Sequence, residues 1–472
     1  MKVKAILPGA IAIAAAALVA LTLPARADTG IDYAEALRRM QTSAGAVNGA
    51  RLDFQARQLQ AEALRRIDGP DVRLSGFAGR VSTTLSVDTG AITQLANPVL
   101  DSLPPLPALN LPEIPPAINV DRVFNVHSLG LNTVWPLYTG GRLNAVKQIA
   151  AGRADEAHAS VQAAVDDASI QLAQRYFTVQ LATKASQLRS SAAELAKEHQ
   201  RMARKMERSG LIAKVERLKA DVAVDNAVRE AAKAGSDLEI AQLALRRLLD
   251  AHGAVTPTTP LFVHAESPGS LASFIDAAMA SNAAWKQIAS KRKQADGALQ
   301  LQGREFSPTV IGIANYNLNR GSSSRANWLV GVSLSVPLVE RIDRAKMTAA
   351  ARLEQQRVEV AAEQAGRDIP TLAESQWRTM EDARQRYLAM GSAIELAAET
   401  QRLAQVGFQN GQATSTDVAD ASLNYTKTSL ERAQAGYDYV MALAKLLGTS
   451  GEPERLSALS RTATHIVDLT KE

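Results

Sequence analysis

Trp328-Leu329-Val330-Gly331-Val332-Ser333-Leu334-Ser335-Val336-Pro337 is the stretch whose reading decides the fold. Trp328, Val330, Val332, Leu334 and Val336 alternate with Leu329, Gly331, Ser333 and Ser335, which is the two-residue period of a strand with one greasy face and one small, mostly polar face. Pro337 closes that strand, and an alanine-rich amphipathic run then continues to Gly411, 74 residues on. Pro136 and Gly210 lie the same 74 residues apart and bracket a run of the same kind, so the chain is a duplication. Each copy reads as a helix, a two-strand segment, a helix of about 70 residues, a Gly-marked turn and a returning helix; at ~1.5 Å per residue the long helix reaches roughly 105 Å.

The N-terminus carries Lys2 and Lys4, an apolar stretch from Ala5 to Leu23, and Ala25-Arg26-Ala27 before Asp28. A cationic start, an apolar middle and a small-x-small site predict a secretory signal peptide over 1–27, with an uncleaved anchor as the competing reading. Cysteine is absent, so the chain has no disulfide staple, no thiolate for a metal and no lipid-bearing cysteine. Beyond residue 27 no apolar run approaches the ~20 residues of a spanning helix, so any membrane crossing must be made by strands. Loss of the three cations Lys2, Lys4 and Arg26 takes the formal charge from +5 to +2, which argues against a nucleic-acid partner. The six histidines are scattered without metal-ligand spacing, and no nucleophile elbow or phosphate loop is present. Neither a metal, a cofactor nor a catalytic residue is expected.

The first repeat is expected over 28–253, with a helix over 31–67, a hairpin over 71–136, a long helix over 137–208 and a return helix over 212–250. A linker over 254–269 precedes the second repeat at 270–448, built of a helix over 270–305, a hairpin over 308–337, a long helix over 338–408 and a return helix over 414–447. A tail over 449–472 ends the chain. In the first hairpin, strands are expected at 71–80 and 122–135. Seven prolines between Asn97 and Pro116 predict an extended loop between them, because each ring deletes a backbone donor. The second hairpin turns through the polar stretch Asn319 to Arg325. Leu181, Ala185, Leu188, Ala192 and Leu195 step by four and three, as do Tyr387, Met390, Ile394, Ala397 and Gln401, so the long helices carry coiled-coil seams. Trp135 and Trp328 read either as interface anchors of a barrel or as core aromatics.

Four strands of roughly ten residues have the length to cross a bilayer, yet they cannot close on themselves: an open edge in lipid leaves backbone groups unpaired at several kcal/mol each. Copies of the chain must close the ring, and a cyclic trimer supplies twelve strands. The duplicated plan, the stretch Trp135-Pro136-Leu137-Tyr138-Thr139-Gly140-Gly141-Arg142 and the turns at Gly210 and Gly411 together resemble the TolC-type outer-membrane efflux proteins over about 30–450. That resemblance implies a mainly α fold with a small β part, in which three chains complete a β-barrel in the outer membrane and an α-helical tunnel across the periplasm. It also implies a periplasmic adaptor and an inner-membrane pump as partners.

By resemblance, Asp417 and Asp420 fall on the family's acidic pore positions and Glu216 keeps an acid in the first copy. Three copies of such acids would crowd carboxylates around an axis and raise some of their pKa values. Spacing alone leaves open the alternative that they are first-turn acids complementing a helix dipole. Ser209, Gly210 and Leu211 match the family's adaptor-contact turn, whereas Asn410, Gly411 and Gln412 keep only its glycine. Where the family often has a latching tyrosine and arginine, this chain has Phe408 and Ala413. The function expected is passive conduction in a tripartite efflux or type I secretion system. A periplasmic coiled-coil adaptor or scaffold is the alternative, and a secreted enzyme is a distant third. The cargo is not legible.

Overall fold

The computed structural model describes residues 29–101, 115–304, 307–318, 327–338 and 341–467. The expected signal peptide over 1–27, the turn over 319–325 and the Pro-rich stretch over 102–114 lie outside the described residues. In chain order the elements are β1 (Thr29–Ile31), α1 (Tyr33–Ser43), α2 (Gly45–Ala63), β2 (Asp71–Asp88), α3 (Gly90–Asp101), β3 (Ala117–Tyr138), α4 (Arg142–Arg208) and α5 (Lys214–Leu248). There follow β4 (Val255–Pro257), β5 (Phe262–Val263), α6 (Leu271–Ser281), α7 (Ala283–Gly303), β6 (Thr309–Asn317) and β7 (Trp328–Ser335). The chain ends with α8 (Arg344–Gln409), α9 (Ser415–Thr449), α10 (Arg455–Thr462) and β8 (His465–Ile466). The long helices α4 and α8 have 67 and 66 residues, and α5 and α9 have 35 each.

Several expected boundaries move, each for a local reason. The helix expected over 31–67 is two helices, because Ala44 is extended (ψ 119°) between α1 and α2. The one expected over 270–305 breaks likewise at Asn282 (ψ 131°), whose amide donates to the Thr449 carbonyl at 2.8 Å and accepts from the Ala284 N–H at 2.9 Å. The strand expected to stop at residue 80 runs to Asp88, paired without interruption to β3 from Asp71↔Val134 to Asp88↔Ala117. The loop expected from Asn97 begins instead as the end of α3, a helix that includes Pro98. The Pro98 ring removes one backbone N–H from α3.

The chain forms two compact units. One comprises 56–154 and 290–359 and holds a four-stranded sheet in the order β2-β3-β6-β7, all neighbours antiparallel. Strand β3 carries an irregularity between Pro136 and Tyr138, where a proline that cannot donate to the ladder is accommodated. Register puts Val72, Leu74, Gly76 and Ala78 of β2 on one face with Leu129, Leu131, Thr133 and Trp135 of β3. Val310, Gly312, Ala314 and Tyr316 of β6 and Trp328, Val330, Val332 and Leu334 of β7 continue the same face. From Val72 to Ala78 no Lys, Arg, Asp or Glu interrupts it; His127 lies opposite Ala78, and Arg80 follows on the same face of β2. Trp135 and Trp328 both lie on it, 48% and 67% exposed, so neither is a core aromatic of the chain. The opposite face carries a polar row in which Asn132 donates to the Ser75 hydroxyl at 2.5 Å and Asn315 donates to Asn132.

In the same unit Gly140 (φ +61°) and Gly141 (φ +86°) make the corner from β3 into α4, which is why α4 starts at Arg142 rather than at residue 137. A Cβ on Gly140 would lie 2.0 Å from the Ser307 Cβ. Gly140→Ala should therefore cost more than about 1 kcal/mol, from left-handed strain and collision together. A lowered melting temperature of the detergent-extracted protein is the check, and an unchanged one would show that the corner relaxes freely.

The other unit comprises 1–55, 155–289 and 360–472. Its core is aromatic: Phe177 on α4 stacks on Tyr33 of α1 at 5.4 Å and meets Tyr176 and Phe262 edge-on at 5.2 and 6.1 Å. Tyr176 donates through Oη to the Ile31 carbonyl at 2.8 Å and accepts from the Thr259 N–H at 2.8 Å. The segments expected as linker and tail belong to this core. Strand β4 pairs with β1 in parallel, β5 pairs with β8, and Leu261, Phe262 and Val263 are fully buried.

Candidate functional site at the two glycine turns

The turns joining α4 to α5 and α8 to α9 are one structure built twice, offset by 201 positions. Gly210 and Gly411 have φ of +70° and +73°, a left-handed conformation that only glycine adopts without strain. Around each, the same two bonds close the helix end: Gly210 N–H to Glu207 carbonyl (2.9 Å) and Leu211 N–H to Met206 (2.9 Å), against Gly411 to Phe408 (3.1 Å) and Gln412 to Gly407 (2.7 Å). Behind the turns, the Gln200 amide donates to Asp221 at 2.8 Å, and at the matching positions Gln401 donates to the Ser422 hydroxyl at 3.2 Å.

The two returning helices begin differently, and this decides what the acids do. Helix α9 starts at Thr414, whose hydroxyl accepts from the Asp417 N–H at 3.2 Å while the Asp417 carboxylate accepts from the Thr414 N–H at 2.7 Å, a reciprocal capping box. Helix α5 starts at Ala213, which has no side chain to cap with. Its acid, Glu216, reaches instead to the other repeat and accepts from the Ser415 N–H at 2.8 Å, so one helix start is capped from the other copy. Lys219 pairs with the same carboxylate at 2.9 Å.

Lys219 stands where the second copy has Asp420. It was not among the residues singled out from the sequence by resemblance, and only the repeat alignment together with this ion pair brings it into the site. Lys219 and the Ser415 N–H hold the Glu216 carboxyl below the usual carboxylate range, and the Thr414 N–H and hydroxyl do the same for Asp417. Within one chain both shifts are therefore downward. The reason is that each carboxylate accepts hydrogen bonds that favour its charged form.

Asp417 and Asp420 are exposed, and Glu216 is half-buried. Asp420 borders a cavity of about 520 Å³ walled by α4, α5 and α9, beside Lys219, Leu218, Val418 and His199. Phe408, which departs from the tyrosine the family resemblance would put there, is 2% exposed and packs with Ala203, Ala220 and Val418 in a small core at the turns; Ala413 lies against the same core. The His199 ring meets Phe408 edge-on at 4.4 Å, and burial pushes its imidazole pKa down against the opposing charge of Glu216. Phe408 is thus a packing residue. Ser209, Gly210, Asn410, Gly411 and Gln412 are exposed, and Leu211 presents an apolar side chain that is 71% exposed.

Residues 37–251 match the family described as outer membrane efflux protein, a span that covers most of the first repeat. No curated protein sequence matches the chain. Among solved structures, the CmeC outer membrane channel of Campylobacter jejuni superposes with a TM-score of 0.73 at 13% identity, covering 89% of this chain and 86% of that one. The MtrE outer membrane channel of Neisseria gonorrhoeae gives 0.72 at 16% identity, covering 89% of each, and the outer membrane protein VceC of Vibrio cholerae gives 0.70 at 15%, covering 88% and 96%. The family match includes 135–142 and the turn at Gly210, so the resemblance carried by them is borne out, as is a mainly α fold with a small β part.

Proposed function

We propose, with the outer membrane efflux protein family of the first repeat as premise, that this chain is one third of an outer-membrane duct of a tripartite efflux or type I secretion system. The observation that carries this is the four-stranded sheet. Its one face is predominantly apolar, with Thr133 and His127 as the polar side chains on β3, and its edges, β2 and β7, have no partner among the described residues. From Val72 to Ala78, and again from Trp328 to Leu334, that face extends roughly 20 Å along the strand, close to the ~25 Å apolar band of a transmembrane barrel. A cyclic trimer joins β7 of one copy to β2 of the next and removes every edge. Among the described residues no helix is long and apolar enough to span a membrane, so the strands carry the crossing.

The two turns supply the narrow end. Asp417 and Asp420 face the aqueous passage, and Glu216 holds the first turn to the second through Ser415. Lys219 offsets Glu216, so the net negative charge of the ring comes from the second repeat. The exposed Leu211 turn and the Asn410-Gly411-Gln412 turn take a periplasmic adaptor, which brings an inner-membrane pump into line. A periplasmic adaptor or scaffold is not favoured, because the family match and the structural relatives are outer-membrane proteins.

Planar-bilayer recording tests the passage. The purified protein should conduct with cation preference, and Asp417→Asn together with Asp420→Asn should abolish most of that preference, since Glu216 and Lys219 then cancel. The parental preference should persist as pH falls to about 4, because Asp417 is held ionised below the ordinary aspartate value of about 3.9. An unchanged permeability ratio in the double variant would remove these residues from the pore.

A further inference from the structure

The β2–β3 ribbon outlasts its neighbours. Strand β6 pairs with β3 only as far as Gly130↔Asn317, whereas β2 and β3 stay paired to Asp88↔Ala117. Among the described residues the ribbon beyond Gly130 is two-stranded, and Leu85, Phe124 and Val123 on it are exposed at 62%, 48% and 57%. A lone two-stranded ribbon is marginal in water. At its far end stands α3, rooted by Thr89, whose N–H donates to the Pro116 carbonyl at 3.1 Å and whose hydroxyl donates to Pro115 at 2.5 Å. Ile92, Leu95, Ala96 and Val99 form one stripe on α3, with Ile92, Leu95 and Val99 exposed at 58%, 77% and 60%. The second hairpin is too short to hold a counterpart: Pro308 and Pro337 are 29 residues apart where Pro70 and Pro136 are 66.

The geometry points to a second copy of this chain as what covers the α3 stripe, with the three α3 helices of the assembly packing on one another beyond the outer mouth. The inference rests on the trimeric-barrel reading. Charge decides against a lipid surface, since helices that lie on membranes carry Lys or Arg on their polar face and none occurs from Gly90 to Asp101. An uncharged stripe meets its own copies without repulsion. Reach agrees as well: twelve strands about 4.8 Å apart and tilted about 40° close into a ring of radius roughly 12 Å. A helix of 12 residues is about 18 Å long and so spans from the wall to the axis. Continuity with the barrel contact brings three identical stripes to one end of one ring.

The chain has no cysteine, so a single introduced one reports only contacts between copies. Under mild oxidation of the detergent-extracted full-length protein, Leu95→Cys should give a covalent dimer, and Gln94→Cys, on the opposite side of α3, should not. Val99→Cys should cross-link too, and should lose that cross-link when combined with Leu95→Asp. Mass by light scattering runs alongside. A trimer that yields no Leu95→Cys dimer, or one in which Gln94→Cys links equally well, overturns the helix contact and leaves the barrel standing. A monomeric mass overturns both.

Discussion

Val332→Arg should keep the mature chain out of the outer membrane. Val332 sits midway along β7, paired with Gly312 and flanked on its face by Val330 and Leu334, all three side chains at least 66% exposed in the single chain. If that face meets lipid, an arginine near the middle of the band costs about 2–4 kcal/mol, and it recurs in each copy of the ring. Ser333→Arg, one residue on and opposite Ile311, puts the same charge on the inner face. It should insert normally and shift the conductance instead. Membrane fractionation and the trimer band on a gel read both outcomes. Equal fractionation of Val332→Arg and the parent would mean that the greasy face is not a lipid face, and the duct reading would fall with it.

Phe177→Ala should destabilise the protein by about 3–5 kcal/mol, the cost of deleting a large buried ring whose neighbours only partly close the gap. Phe177 is fully buried and touches side chains from α1, α4 and β5, so it joins the N-terminal segment, the first long helix and the segment between the repeats. The melting temperature of the extracted protein should fall by many degrees. Leu211→Ala, at a site exposed to solvent, should stay within about 0.5 kcal/mol and lower only the affinity for a periplasmic partner. A small shift for Phe177→Ala would show that this core is loosely packed.

Much of the site was legible because its signals are local. Gly210 and Gly411 were readable as turns, since a helix that reverses in so few residues needs a left-handed position, and that need falls on glycine. The first-turn placement of Glu216 and Asp417 was readable for the same reason. Whether each acid caps its own helix or the other repeat's was not. That depends on Ala213 lacking a hydroxyl that Thr414 has, and on Ser415 arriving beside Glu216 from 199 positions away. Likewise, the departure at Phe408 from the family's latch tyrosine did not reveal that the ring is buried against His199.

By itself the sequence determined the duplication, the strand into Pro337, the long amphipathic helices and the two turns, because period, proline and glycine act over a few neighbouring residues. Only the tertiary structure decided that residues 254–269 and 449–467 are core rather than connector and tail. Phe262 and Val263 gain their burial from α9, from Phe177 and from the pairing of β5 with β8, contacts between distant stretches whose stabilisation no local pattern encodes. The same holds for α3: a proline-marked stretch reads as loop locally, yet the anchoring of Thr89 to the start of β3 holds a helix there.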